Sequence, residues 1–318
     1  MHIKDTVYII GGGAIGKALA VFLKHEGKDV VIIRRSLDDK SGRFEKIEVQ
    51  LNDHTTIEAE IEVSTASNFS TLNGIIVFAN KSFGNPLLAN TLKTKINNSP
   101  IVIMQNGLNV EQAFIDSGYS QIYRCVLFAT SQPLSDNKLK FKPVSFSPIG
   151  IIKGNVENLD AIVQQLNNSY LEFKTEQNIL PIIWTKVIVN SVFNSVCPLL
   201  EIDNGIFYRN EMALRIAKRV MGECIMVAES MGIFLDEEKI TNSLLLISKS
   251  SDGQLISTYQ DIQNKRQTEI DTLNFSISNV AIEYNKEDLV KETRLLGELT
   301  KLKAELNQLP LSVAPQLS

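Results

Sequence analysis

The sequence predicts an α/β chain in which a doubly wound, mostly parallel sheet over residues 1–176 is followed by an all-helical part over 177–318. Three observations carry that expectation. A glycine cluster lies between a β-branched run and a helical pattern near the N-terminus, and short continuous apolar runs recur as far as Phe128. From about Asn178 onward the apolar pattern lengthens to the 3.6-residue period.

The first strand is read at Thr6 to Ile10, followed by Gly11-Gly12-Gly13-Ala14-Ile15-Gly16 and a helical pattern through Lys24. In a G-x-G-x-x-G loop the first glycine makes the tight turn, the second lets a pyrophosphate approach the backbone, and the third packs helix on strand. Gly11, Gly13 and Gly16 occupy those places, with Ala14 and Ile15 opening the helix. A second strand, Asp29 to Ile33, leads to Arg34-Arg35-Ser36, where a site for NAD usually carries Asp or Glu. Two guanidinium groups and a hydroxyl suit a 2′-phosphate, so the Rossmann-type half is expected to bind NADP(H). Further strands are read at Gly74 to Phe78, Pro100 to Met104 and Ile122 to Phe128, and the alternating stretch from Ile47 to Ser64 as a hairpin excursion. Ligands in such sheets bind beyond the carboxyl ends of the strands, which directs attention to Ala79-Asn80-Lys81 and Gln105-Asn106-Gly107. Asn106 has two readings, a turn residue or a ligand contact.

Composition narrows the chemistry. A chain of 318 residues, 44% hydrophobic and 21% charged, exceeds the roughly 250 to 300 residues at which single cores stop growing. Its net charge of −4 gives no general attraction to nucleic acid or anionic membranes. Nor does any uninterrupted apolar run approach the roughly 20 residues of a membrane span. Cys125, Cys197 and Cys224 lack C-x-x-C spacing, which suits a reducing cytoplasm and argues against structural zinc or another metal site. The three histidines are His2, His25 and His54, so a proton donor further along must be lysine, tyrosine or a carboxyl group. Tyr170 and Lys174 have Y-x-x-x-K spacing, but Leu171 and Phe173 alternate with Glu172 and Lys174 as in a strand; the match reads as chance.

In the second half, helices are read at Pro181 to Val196, Arg209 to Met231, Leu235 to Ser248, Ile262 to Tyr284 and Leu289 to Asn307. Pro198 is expected to end or kink the first, and the tail Leu309 to Ser318, with two prolines, reads as frayed. Lys186, Asn190 and Asn194 stand four residues apart in that first helix. Steps of four drift by only about 40° each, so the three share one face. The rest of the helix is apolar, leaving a single polar line that bonds either to the protein or to a ligand in a cavity. A second polar group runs through Ser257-Thr258-Tyr259-Gln260-Asp261 and Thr268-Glu269-Ile270-Asp271. Ser257 or Thr258 as a helix cap, and Glu269 as a solvated charge, are the plain readings there.

Taken together, the G-G-G-A-I-G loop, Lys81, Q-N-G at 105–107, W-x-K-x-x-x-N-x-x-x-N with N-G ten residues on, and S-x-x-Q-D followed by T-E-I-D resemble the ketopantoate reductases (2-dehydropantoate 2-reductases). The resemblance runs from residue 6 to about residue 275. It implies NADPH-dependent reduction of ketopantoate to pantoate, on the way to pantothenate and coenzyme A, by a cytoplasmic enzyme. By matching motif, Lys186 resembles the catalytic lysine, Glu269 the carboxylate that orients substrate and Ser257 the hydroxyl on the substrate carboxylate. Asn106, Asn190, Asn194 and Asn204 resemble the amides around substrate and nicotinamide, with Lys81 near the cofactor. The chain departs from the pattern at Phe275 and between Glu283 and Leu289, which bears on pocket size. A reductase of another 2-oxo acid and a non-catalytic NADPH sensor are the alternatives. Exposed apolar helix faces in the second half suit a homodimer, although the sequence does not choose between dimer and monomer.

Overall fold

The structure, a computed structural model, describes residues 6–34 and 42–308. Arg35 and the tail Leu309 to Ser318 lie outside the described residues. The chain divides into two compact units, Met1–Gln105 with Val110–Ile179, and Asn106–Asn109 with Leu180–Ser318.

The first unit contains β1 (Val7–Ile10), α1 (Ala14–His25), β2 (Val30–Arg34), β3 (Arg43–Gln50), β4 (Thr56–Thr65), β5 (Ile75–Phe78), α2 (Asn85–Ile96) and β6 (Ile101–Ile103). It continues with α3 (Gln112–Asp116), β7 (Ile122–Cys125), β8 (Ala129–Ser135), β9 (Lys138–Pro143), β10 (Ser147–Lys153), α4 (Glu157–Leu166) and β11 (Phe173–Glu176). One sheet runs in the order β11-β10-β7-β6-β5-β1-β2-β4-β3-β9-β8. From β7 to β4 all neighbours are parallel, the doubly wound order of a Rossmann fold. Residues of β1, β5, β6 and β7 are buried throughout, as expected of strands covered on both faces. One core packs α1 and α4 on the sheet through Leu19, Phe22, Leu23, Ile162 and Leu166. The other packs α2 and α3 through Leu92, Ile96 and Phe114, with Phe78 and Phe114 rings 4.4 Å apart.

Two expectations are corrected here. The stretch Ile47 to Ser64 is not wholly an excursion: β3 pairs antiparallel with β4, but β4 also pairs in parallel with β2. Ile61 and Val63 are fully buried, and burying them is what draws β4 into the sheet. Strands β8 to β10 were not anticipated, β8 and β9 being largely exposed and polar, whereas the strand-like alternation at Leu171 to Lys174 runs into β11. Tyr170 and Lys174 belong to different local structures: the Tyr170 hydroxyl meets His25 Nδ1 at 3.1 Å, while Lys174 lies on β11.

The second unit is helical: α5 (Ile179–Leu200), α6 (Ile206–Arg209), α7 (Glu211–Ser230), α8 (Glu237–Ser250), α9 (Ser257–Gln263), α10 (Asn274–Glu283) and α11 (Lys291–Gln308). Helix α5 is its central rod, with Trp184, Val187, Ile188, Val189, Val192, Phe193 and Val196 all buried. Among the described residues it is the one helix long and apolar enough to cross a membrane, and 67% of its apolar window is buried inside the protein. Pro198 does not end it. The proline leaves the Asn194 carbonyl without its helical donor, and α11 braces the last turn by Lys303 Nζ to the Pro198 carbonyl (2.7 Å). The single helix expected over Ile262 to Tyr284 is broken into α9, a 3-10 turn at Ile270–Thr272, and α10. At the break Lys265 has φ +54°, and Arg266 turns back to donate both its backbone N–H (2.8 Å) and its Nε (2.9 Å) to Asp261.

Gly150 on β10 marks a close approach next to the edge strand β11: a Cβ there would lie 2.5 Å from Ile179 Cβ and 2.7 Å from the Glu176 carbonyl oxygen. Gly150→Ala is expected to destabilise the protein by about 1–3 kcal/mol through overpacking. Chemical denaturation checks this, and an unchanged midpoint would contradict the close approach.

Candidate active site

The glycine loop sits at the carboxyl end of β1, where the strand order reverses toward β5. Gly11 has φ +115°, and a Cβ on it would lie 2.7 Å from the Asn80 backbone nitrogen. On Gly16 a Cβ would lie 2.2 Å from the Gly11 carbonyl oxygen, so helix and loop meet backbone to backbone. Gly13 is different, facing open space with nothing within 4 Å. Ala14 and Ile15 begin α1, whose first turn carries no acidic residue and whose Gly13 cap offers no side chain. A helix start with unclaimed N–H groups and an open approach is an anion cradle.

Arg34, at the end of β2, lies over this loop: its Nε is 2.8 Å from where a Gly12 Cβ would be. Glu45 on β3, buried, holds Arg34 at 3.3 Å and Arg43 at 2.9 Å. Lys17, also buried, donates to the Asp136 carbonyl and to Asn137 Oδ1, tying α1 to the β8–β9 hairpin. Burial, then the Arg34 guanidinium, pulls its pKa below the usual lysine value. Lys17, Arg43 and Glu45 were missed in the sequence; three cations around one carboxylate leave the cradle net positive. Lys81, after β5, is exposed. The strand ends are held by Asn85 and Gln105, both buried: Gln105 Nε2 donates to the Asn80 carbonyl (2.9 Å), and Asn85 Nδ2 donates to Gln105 Oε1 (2.6 Å) and the Val110 carbonyl (2.7 Å).

Lys186, Asn190, Asn194, Asn204, Ser257, Glu269 and Asn106 all belong to the second unit. The three residues of the polar line lie on α5, Lys186 and Asn190 half-buried and Asn194 buried. Asn194 Nδ2 donates back to the Asn190 carbonyl at 2.9 Å. Its Oδ1 accepts from Ser257 Oγ and from the Thr258 backbone N–H, each at 3.2 Å. Neither Ser257 nor Thr258 caps its own helix; both lie inside α9, which has no side-chain cap of its own, and Asn194 supplies that cap from α5. The line thus divides into Asn194, which the protein uses to set α9 on α5, and Asn190 and Lys186 one and two turns away. Ser257 is exposed, and Glu269 is half-buried immediately before the Ile270–Thr272 turn. Asn106 is exposed; beside it the Leu108 N–H donates to the Thr272 carbonyl at 2.8 Å, so its segment is tied to the turn after Glu269.

Asn204 is 6% exposed and its Oδ1 has no hydrogen-bond partner among the described residues. An unmet buried acceptor costs about 1–3 kcal/mol, a deficit that a ligand donor would remove. Its backbone is fixed on both sides, by its N–H to the Gln254 carbonyl (2.9 Å) and by Ser248 Oγ to its own carbonyl (2.7 Å). Next to it Asp203 accepts from the Gly205 N–H (2.8 Å), the Gly253 N–H (3.1 Å) and Arg209 Nη2 (2.7 Å), and Arg209 also reaches Asp252. Phe275, where the chain departs from the family pattern, lies under Lys301, whose Nζ is 5.2 Å from the ring centre.

Comparison with known proteins gives the chain's family. Residues 7–145 match the family described as "Ketopantoate reductase PanE/ApbA", and residues 178–303 match "Ketopantoate reductase PanE/ApbA C terminal". The chain belongs to the ketopantoate reductase family. A 2-dehydropantoate 2-reductase of Pyrococcus horikoshii is 26% identical over 282 residues, covering 88% of this chain and 90% of the relative. Among solved structures, a dimeric ketopantoate reductase from Staphylococcus aureus is similar with a TM-score of 0.78 at 18% identity, covering 95% of this chain and 99% of that one. A D-mandelate dehydrogenase in a ternary structure with NADH and anilino(oxo)acetate has a TM-score of 0.81 at 20% identity, covering 96% of this chain and 100% of that one. At such identities the structural likeness shows the fold.

The ion pair and N–H bonds around Asp203, the Arg209 bond foremost, lower its pKa from 3.8 to about 2. A depressed carboxylate pKa contributes stability that is present above the unfolded value and lost as pH falls through the folded one. Asp203→Asn is therefore expected to cost about 1–2 kcal/mol near neutral pH, after solvent screening, and to flatten the acid limb between about pH 4 and pH 2. Urea denaturation across that range checks it; an acid limb identical to wild type would rule out the linkage.

Proposed function

We propose that this chain is an NADPH-dependent 2-dehydropantoate 2-reductase, reducing ketopantoate to pantoate in the route to pantothenate and coenzyme A. The observation that carries the reading is the polar line of α5, with Lys186 and Asn190 half-buried on a largely buried and largely apolar helix, in a chain of the ketopantoate reductase family. NADPH, when bound, supplies the hydride. The first unit fits a dinucleotide: Gly11, Gly13 and Gly16 bring backbone close to a pyrophosphate, with Ala14 and Ile15 offering the N–H groups of the α1 start. Arg34 with Arg43, and Arg35 beyond the described residues, suit a 2′-phosphate, while Lys81 lies close to the cofactor.

Reduction of a keto carbon leaves negative charge on its oxygen. The Lys186 ammonium stabilises that charge and donates the proton. Glu269 orients the substrate, Ser257 exchanges its bond to Asn194 for the substrate carboxylate, and Asn106, Asn190 and Asn204 supply further amide contacts. Asn194 acts from behind by holding the Thr258 N–H, and with it the start of α9 that carries Ser257. We also propose that the working unit is a homodimer, as the S. aureus relative is described.

The test is to follow nicotinamide absorbance with ketopantoate, pyruvate and branched 2-oxo acids, using NADPH and NADH in turn. Turnover is expected with ketopantoate and NADPH. Lys186→Ala should lower kcat about 10²–10³-fold, the usual cost of one such donor, while NADPH affinity stays near wild type. Consumption with another 2-oxo acid alone moves the substrate assignment; tight NADPH binding without consumption favours a sensor; wild-type turnover in Lys186→Ala sinks the lysine's role.

A further inference from the structure

Helix α11 presents a second apolar face to solvent. Leu295, Leu299, Leu302 and Leu306 are 53%, 42%, 50% and 59% exposed. Their spacing of four, three and four is the heptad seam of a coiled coil. Beside this seam lies a groove of ≈ 500 Å³ between α9 and α11, with Leu299, Leu302 and Leu306 on one wall and Tyr259 and Ile262 on the other. Soluble chains seldom leave a continuous row of leucines uncovered without a partner.

The partner's chemistry can be read from the row. A heptad seam asks for leucines at heptad spacing on the other side, and α11 of a second copy carries them. The flanking charges agree: Glu298 precedes one seam position and Lys303 follows another five residues on, the g and e′ places that form salt bridges across a parallel pair. Within one chain Glu298 has the exposed partner Arg294 at 2.9 Å, while Lys303 reaches Glu201 at 2.8 Å and also donates to the Pro198 carbonyl at 2.7 Å, which leaves its ammonium a further hydrogen for a partner across the seam. The rim carries both signs (Lys291, Arg294, Lys301 and Lys303 against Glu292, Glu298 and Glu305), which suits neither an anionic membrane nor nucleic acid.

We infer that α11 is a self-association surface, on which the leucine edge of a second copy of this chain enters the α9–α11 groove by a two-fold, isologous contact. This inference rests on the homodimer reading above and adds its location. The test is sedimentation equilibrium of the full chain between about 1 and 100 µM, a range that spans micromolar association. A reversible species of twice 35.4 kDa is expected. Leu299→Glu with Leu302→Glu should weaken association at least 100-fold, whereas Leu246→Glu, at a 69% exposed leucine on α8, should leave it unchanged. Circular dichroism shows whether each variant folds. If the double variant does not, L302C gives an independent reading, because Cys125, Cys197 and Cys224 are all buried. Mild oxidation of L302C should then give a covalent dimer. A monomer at every concentration overturns both the inference and the homodimer reading. A dimer indifferent to the α11 charges, or one that L302C does not cross-link, overturns the inference alone; turnover measured on the same samples keeps the reductase reading separate.

Discussion

The arrangement of the second unit's polar residues depends on one side-chain amide. Asn194 is buried, and its oxygen accepts both the Ser257 hydroxyl and the Thr258 N–H at 3.2 Å. A buried carbonyl with two donors is satisfied, and the satisfaction joins two helices through residues 63 positions apart in the chain. Without it α9 would start with no side-chain cap at all. The placement of Ser257 relative to Lys186 and Asn190 therefore follows from α5, whose apolar faces are locked in the core. A similar logic holds at Asn204, where Gln254 and Ser248 fix the backbone while the side-chain oxygen has no partner among the described residues.

The first unit solves a different problem. Gly11 and Gly16 are demanded by backbone contacts, whereas Gly13 is demanded by none, and that contrast marks where an incoming group has room. Charge is arranged with equal economy. Buried Glu45 is paired with Arg34 and Arg43, and the pairing holds Arg34 over Gly12.

Much of this was legible from spacing alone. The glycine loop and the four-residue steps on α5 are local patterns, and local geometry converts them directly into a turn and a face. What stayed hidden depends on distant partners. That Asn194 caps α9 needed the third dimension, as did the Asp203–Arg209–Asp252 clamp around Asn204. The break after α9 was concealed because Lys265 and Arg266 look like helix formers; the Asp261–Arg266 bonds override that propensity. Strands β8 and β9 were hidden by their polarity, since an exposed edge ribbon carries no apolar signature.

The claim that an amide behind the site sets the site is most directly tested by Asn194→Leu, which keeps the bulk and removes the cap. The account predicts a folded protein with NADPH dissociation unchanged and kcat/KM for the 2-oxo acid down at least tenfold, with KM taking the larger share through Ser257. Steady-state parameters equal to wild type in a folded Asn194→Leu protein would contradict it.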